Sequence, residues 1–211
     1  MILCVKWIHM KTSSNFEFTK KIILEDERVI LRPLENTDVE HLLKFSLTEP
    51  ELWLYSLIQA AGENGLKSYI NAAVEARHAQ KEYPFIVFDK QLNSYAGSTR
   101  FYDIQLASKC LQLGYTWYGR QFHGTGLNKH CKFLLLEFAF EKMEMERVEF
   151  RADSQNERSI AAMKSLGCKI EGILRSTGLR PDGNRRNSIV LSILRGEWEC
   201  SVKENLRKKL G

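Results

Sequence analysis

The sequence predicts an α/β (α+β) fold in which a mixed sheet carries helices on both faces. Three observations predict it. Strand-length and helix-length patterns interleave along the chain without a repeat or a low-complexity linker. An apolar, aromatic strand runs into a glycine turn and then into a long helical pattern, from Leu111 to Lys142. The chain has 211 residues, 44% hydrophobic and 27% charged, which suits one compact domain with a sizeable core.

The elements follow in order. Residues 1–20 are set apart as an N-terminal extension, either an ordered first strand or a flexible segment; residues 21–211 form the domain. Ile22 to Leu34 reads as a strand interrupted by the acidic turn Glu25-Asp26-Glu27. Thr37-Asp38-Val39-Glu40 has the spacing of a capping box. It opens an amphipathic helix with Val39, Leu42, Leu43 and Phe45 on one side, limited by Pro50. Gly62 and Gly65 break the chain before a second helix, Leu66 to Gln80. Phe85-Ile86-Val87-Phe88 and Tyr95 to Tyr102 flank a turn and predict a hairpin. Lys109 to Tyr118 is the next strand, and Thr125 to Lys142 is a helix apolar around much of its circumference, hence buried. Arg147 to Ala152 alternates as a strand does. Ser159 to Leu166 is helical with Gly167 as its C′ residue, and Ile170 to Leu179 and Asn187 to Leu194 are strands joined through Pro181-Asp182-Gly183.

The net charge of +5, from 31 Lys and Arg against 26 Asp and Glu, is compatible with an anionic ligand. It is no nucleic-acid signature, because no basic run is interleaved with stacking aromatics. The five cysteines are scattered, without CxxC or Cys/His ligand spacing, so reduced thiols, no metal and a cytoplasmic location are expected. No run of about 18 apolar residues suggests a membrane span, and Lys6 spoils the N-terminal run as a signal peptide.

The chemistry is concentrated at Gln121-Phe122-His123-Gly124-Thr125-Gly126, between Tyr115-Thr116-Trp117-Tyr118 and the helix that opens at Leu127. Glycines let backbone approach a ligand, and a helix N-terminus presents free N–H groups and a positive dipole end, which suits a pyrophosphate. The same glycines also serve a plain tight connection. Q-x-x-G-x-G after a strand resembles the acetyl-CoA pyrophosphate motif of the GCN5-related N-acetyltransferases (GNAT). Asn156-Glu157-Arg158-Ser159, Gly167 to Gly172 and Ile189 to Trp198 resemble the asparagine-led helix, the following strand and the C-terminal strand of the RimJ/RimL-like, ribosomal-protein branch of that family. The likeness runs from Val29-Ile30-Leu31-Arg32-Pro33-Leu34 to the C-terminal strand.

The resemblance implies a mostly antiparallel sheet, acetyl-CoA as acyl donor and no metal. It implies that Tyr115, Thr116, Trp117, Tyr118, Gln121, Phe122, His123, Gly124, Thr125, Gly126, Leu127, Asn156 and Ser159 hold CoA. Ser159 is then the expected proton donor to the thiolate. Asn156 and Ser159 also read as an ordinary helix cap. Glu171 is a candidate contact to the amine, or an exposed strand charge. Trp53, Tyr55, Tyr102, Asp103 and Gln112 are candidates for the acceptor side, with core packing as the alternative for the aromatics. His123 either meets a phosphate or packs in the turn. Cys131 and Cys168 read as buried hydrophobes.

The chain departs from the family pattern where a base is expected. Gln112 stands where many relatives carry glutamate, Gly178 where some carry a carboxylate, and Arg186-Asn187 where Arg-Asp is frequent. The expected acceptor is a protein N-terminal α-amine or a small-molecule amine, the enzyme acting as monomer or homodimer. A CoA-binding module with little catalysis and a drug- or polyamine-modifying acetyltransferase are the alternatives.

Overall fold

The computed structural model describes residues 16–210. One mixed sheet of eight strands has the order β1-β2-β3-β4-β5-β6-β8-β7. The strands are β1 Leu24–Glu25, β2 Val29–Pro33, β3 Tyr83–Asp89, β4 Ser94–Gln105, β5 Cys110–Tyr118, β6 Arg147–Asp153, β7 Lys169–Leu179 and β8 Arg185–Leu194. All neighbours are antiparallel except β5 and β6. The helices are α1 Val39–Thr48, α2 Gly62–His78, α3 Leu127–Glu137 and α4 Glu157–Ser165.

Side-chain alternation along β4 assigns the faces. Tyr69 of α2 reaches the Ser98 hydroxyl at 3.5 Å on one face. On the other, Lys132 of α3 donates to the Thr99 hydroxyl at 3.3 Å, and Phe101 stacks on Phe138 with centroids 6.4 Å apart. Helices thus cover both faces of the centre of the sheet, and Phe85, Phe101, Leu135, Leu136 and Leu191 lie fully inside.

Several boundaries differ from the sequence expectation. Residues 16–20, grouped with the extension, pack on the body: Phe16 and Phe18 are buried, and Phe16 lies 5.7 Å from Tyr83, centroid to centroid. Cys4 and the rest of residues 1–15 lie outside the described residues. The capping box sits two residues earlier than expected: Asp38 accepts from the Glu35 N–H at 2.8 Å and from Arg32, closing a 3-10 turn before α1. Helix α2 begins at Gly62 rather than Leu66: the Ser46 hydroxyl donates to the carbonyls of Ala60 and Gly62 and fixes the entry to the helix. The long helix is α from Leu127 to Glu137 and continues as a π-turn, Phe138–Lys142. The last strand stops at Leu194, as its pattern predicts, although the family-like stretch runs on to Trp198. Helical turns Arg195–Glu197, Trp198–Val202 and Lys203–Arg207 follow, and they bury Trp198 against Phe140 with centroids 5.5 Å apart.

Candidate active site

The site arises where the parallel pair comes apart. β5 and β6 are bonded only over Cys110–Gln112 and Arg147–Glu149. Beyond Gln112 the two strands diverge, and the edge of β5 from Gly114 to Tyr118 loses its β6 partner. Tyr115 drives the change. Its φ is +49°, so the strand bulges, and Tyr115 and Thr116 together oppose Thr99 alone. The bulge is anchored from beneath: the Lys132 ammonium donates to the Thr116 hydroxyl at 2.7 Å, and the Thr99 and Thr116 hydroxyls lie 2.7 Å apart. Lys132 is 5% exposed, and burial pulls its pKa down to about 8.

The glycine turn lies at the end of this free edge. Gly124 and Gly126 have φ of +76° and +88°, and a Cβ on either would meet nothing within 4 Å. Among the described residues the backbone N–H groups of Gly124, Thr125 and Gly126 make no hydrogen bond. Gly126 is the N-cap of α3, so these donors and the first turn of the helix face open space together. Thr125 closes the turn by donating to the Phe122 carbonyl at 2.9 Å. Phe122 is buried against Phe45, with centroids 6.1 Å apart, while Gln121 is exposed. This arrangement fits a pyrophosphate and the amide-bearing arm of CoA: donors for the first, an unpaired strand edge for the second.

Helix α4 forms the opposite wall. Asn156 caps it, its Oδ1 accepting from the Ser159 N–H at 3.0 Å. Arg158 donates to His123 Nδ1 at 2.9 Å, and His123 Nε2 meets the Tyr118 carbonyl at 2.9 Å, so the imidazole bridges strand, turn and helix. Burial and then the Arg158 charge hold its pKa below the ordinary value, consistent with a neutral ring accepting from arginine. His123 therefore contributes geometry to the turn rather than charge. Arg120 pairs with Glu51 at 2.5 Å, and its N–H donates to Glu49 at 2.7 Å. A cleft of about 720 Å3 lies here, lined by Tyr55, Arg120, His123, Asn156 and Arg158 among others.

The remaining candidates divide. Tyr102 packs edge-on against Tyr115, with centroids 4.9 Å apart, on the face of the splay away from α3. Burial raises the pKa of both phenols, so both are neutral donors. Tyr55 lines the cleft. Trp53 does not; it is 1% exposed and packs on Trp117 with centroids 5.1 Å apart, a core role. Gln112 is buried and donates to Asp103 at 2.8 Å, which accounts for both side chains. Glu171 is not brought to the cleft. It accepts from Arg147 and from the Ser192 hydroxyl, each at 2.5 Å, at the β6 end where the strands are still paired. Those bonds keep its carboxyl ionised below the usual range. Glu149 forms ion pairs with Arg147 at 3.0 Å and Arg151 at 2.7 Å.

Sequence reasoning missed a cluster at the mouth of the splay. Asp153, the last residue of β6, is buried and takes a bidentate bond from Arg180, 2.7 Å on each oxygen. Beside it Arg186 is buried and donates to the Tyr55 carbonyl at 2.8 Å. No local pattern announces a contact between residues so far apart in the chain. Elsewhere, Cys131 and Cys168 are buried with thiol pKa values pushed up to about 12, as expected of inert hydrophobes. His130 Nδ1 meets Asp26 at 2.8 Å and ties the β1–β2 turn to α3.

Comparisons with known proteins agree with this geometry. The model of the acetyltransferase (GNAT) domain family matches residues 28–169. YdaF of Bacillus subtilis (strain 168), provisionally named a ribosomal N-acetyltransferase, is 25% identical over 187 residues, covering 86% of this chain and 98% of its own. A GCN5-related N-acetyltransferase from Brucella melitensis superposes with a TM-score of 0.84 at 21% identity, over 92% of this chain and 88% of that one. RimJ of Mycobacterium smegmatis, solved with CoA-disulfide, gives 0.73 at 19% identity over 85% and 88%. With its parallel pair splayed, its strand bulged and its glycine turn opening a helix, the chain belongs to the GNAT family of N-acetyltransferases.

Proposed function

We propose that the protein transfers the acetyl group of acetyl-CoA to a primary amine, by direct attack with donor and acceptor bound together. The observation that carries this reading is the continuity of the free β5 edge with the open, donor-lined turn at Gly124 to Gly126. Acetyl-CoA supplies an activated acyl carbon and a thiolate leaving group. The chain's own residues do the rest. Backbone of Tyr115, Thr116, Trp117 and Tyr118 holds the donor arm, and N–H groups of the turn hold its phosphates. The bulge keeps an N–H of β5 aimed into the splay, where it meets charge developing on the carbonyl oxygen. The amine nitrogen bonds to the acyl carbon as the carbon–sulfur bond breaks. Ser159, on the first turn of α4 with its hydroxyl unbonded among the described residues, is the group proposed to protonate the sulfur, and the proton that the amine nitrogen sheds, passed on through solvent, restores the serine hydroxyl.

A protein N-terminal α-amine is the acceptor favoured, since YdaF, 25% identical, bears a ribosomal N-acetyltransferase name. A polyamine is disfavoured, because Arg186 and Arg151 stand at the mouth and its carboxylates, Asp153 and Glu149, are already paired. Free Cys110, Cys131, Cys168 and Cys200 suit a reducing compartment such as the cytoplasm. One observation favours a second reading, a CoA-binding module of little activity: the three carboxylates nearest the splayed strands by sequence expectation, Asp103, Glu149 and Glu171, are all engaged. An amine screen that follows release of free thiol separates the two. Turnover with peptide α-amines supports the enzyme; tight CoA binding with no turnover supports the module.

A further inference from the structure

Arg186 is a buried cation whose one buried anionic neighbour, Asp153, is bonded to another arginine. It is 7% exposed, on β8 two residues before Ser188, whose partner across the sheet is Asp153 at the end of β6. Its Nε donates to the Ser188 hydroxyl at 3.1 Å and its Nη1 to the Tyr55 carbonyl at 2.8 Å. Neither acceptor carries charge. Asp153 is committed to Arg180 through both oxygens and to the Gln155 N–H at 2.9 Å. No carboxylate pairs with Arg186 among the described residues, and its Nη2 makes no intramolecular bond. The other polar groups near it are the neutral phenols of Tyr102 and Tyr115, on the splay itself.

A guanidinium sheltered from water is costly unless it is paired, and its planar fork matches a carboxylate. The backbone bond to Tyr55 holds Arg186 against the segment that lines the cleft. We propose that Arg186 is the anchor for a carboxylate carried by the acceptor close to its amine. The acceptor is then an amine of acidic character: a polypeptide whose first residue is Asp or Glu, or an amino acid presenting its own carboxylate. The proposal rests on the acetyl-transfer reading above and deepens it by naming the charge the acceptor bears.

The test uses the full chain and saturating acetyl-CoA. kcat/KM is measured per unprotonated amine for peptides that begin with Glu or Gln and are otherwise identical, and for glycine against glycinamide. The expected result is about a tenfold or greater preference for the carboxylate member of one pair, the range for a charge-assisted bond. A preference within the peptide pair identifies a polypeptide acceptor; one within the glycine pair identifies an amino acid. Arg186→Gln should bring that ratio toward one, and Arg186→Lys should retain part of it, while the KM for acetyl-CoA stays as in the wild type. Turnover of all four amines with wild-type ratios near one overturns the proposal, whether or not the variants fold. A preference unchanged in folded Arg186→Gln also overturns it. No turnover of any amine, alongside tight CoA binding, overturns the acetyl-transfer reading and this proposal with it.

Discussion

Asn156 Oδ1 accepts the backbone N–H of Ser159 at 3.0 Å, which makes the two residues the N-cap and third residue of one helix. Capping and a part in the reaction are therefore compatible. The bond uses the main chain of Ser159 and leaves its hydroxyl uncommitted, one residue beyond Arg158, which lines the cleft.

This separation gives the first prediction. Ser159→Ala keeps the cap, so its melting temperature should match the wild type. Its kcat should fall by about 10²-fold if the hydroxyl protonates the leaving sulfur. Asn156→Ala should instead cost about 1 kcal/mol of stability in denaturant titration, the usual value of a lost cap. A wild-type kcat for Ser159→Ala would assign the serine to structure alone.

The second prediction concerns the turn. Gly124→Val and Gly126→Val each place a side chain in the open space before α3 and force a branched residue to positive φ. CoA affinity by calorimetry should drop at least about tenfold in both, the equivalent of one lost charge-assisted contact. Gly183→Val is the control. Gly183 has φ of +82°, also with nothing within 4 Å, but it lies in the β7–β8 connection. It should suffer the same backbone strain and bind CoA normally. Equal loss in all three would make strain, rather than phosphate access, the cause.

The legible parts of this molecule are the local ones. The glycine turn, the Asn156 cap and the C′ glycine at Gly167, with φ of +100°, are each written within a few residues, because each answers a local backbone demand. The alternation of Arg147 to Ala152 and the apolar girth of the helix after Thr125 likewise reflect burial that the element imposes on itself. Tyr115 was opaque in one respect: nothing in a tyrosine between glycine and threonine signals positive φ, and the bulge follows from Lys132 and Thr99 packing beneath it. Gly62 and Gly65 read as breakers, yet tertiary anchoring by Ser46 begins the helix there. Arg186 and Tyr55 meet only through the fold, so no spacing rule could pair them. Glu171 looked suited to the amine because it lies on the right strand. Its place near the start of that strand, within reach of Arg147 across β8, is a matter of register.

Lys132 provides a prediction in stability. Its folded pKa, about 8, lies below its ordinary value of 10.5, so the unfolded chain binds more protons between those pH values. Stability should therefore rise as pH increases from 8 to 10.5 and be lost again on the way down. Lys132→Met should abolish that slope and stabilise the protein at pH 7, by about 3 kcal/mol at most from the size of the shift. Urea titrations at pH 7 and pH 9.5 measure both. A slope that persists in Lys132→Met would have to come from another group.

The last prediction concerns the missing base. Gln112 is held by Asp103, and Glu149 and Glu171 are spent in ion pairs, so the acceptor amine is expected to lose its proton unaided. The rate should then rise with pH along the acceptor's own titration, near about 7.7–8.0 for an α-amine and about 10.4 for a lysine-type amine. Exchanging one acceptor for the other should move the profile by that difference. Gln112→Glu sets a second carboxylate beside Asp103, where the hydrogen bond is now 2.8 Å. Two acids so close cannot both ionise easily, so one pKa should climb toward neutrality, the range in which a general base is effective. If the new side chain reaches the amine, Gln112→Glu should gain activity at low pH, and the additional change Asp103→Asn should shift that gain to lower pH by removing the repulsion. A wild-type profile fixed near neutral pH for both acceptors would instead reveal a base already present. Asp103→Asn and Glu171→Gln would then be the variants to separate, with Asp103 first, because Glu171 is held ionised by Ser192 and Arg147 outside the cleft.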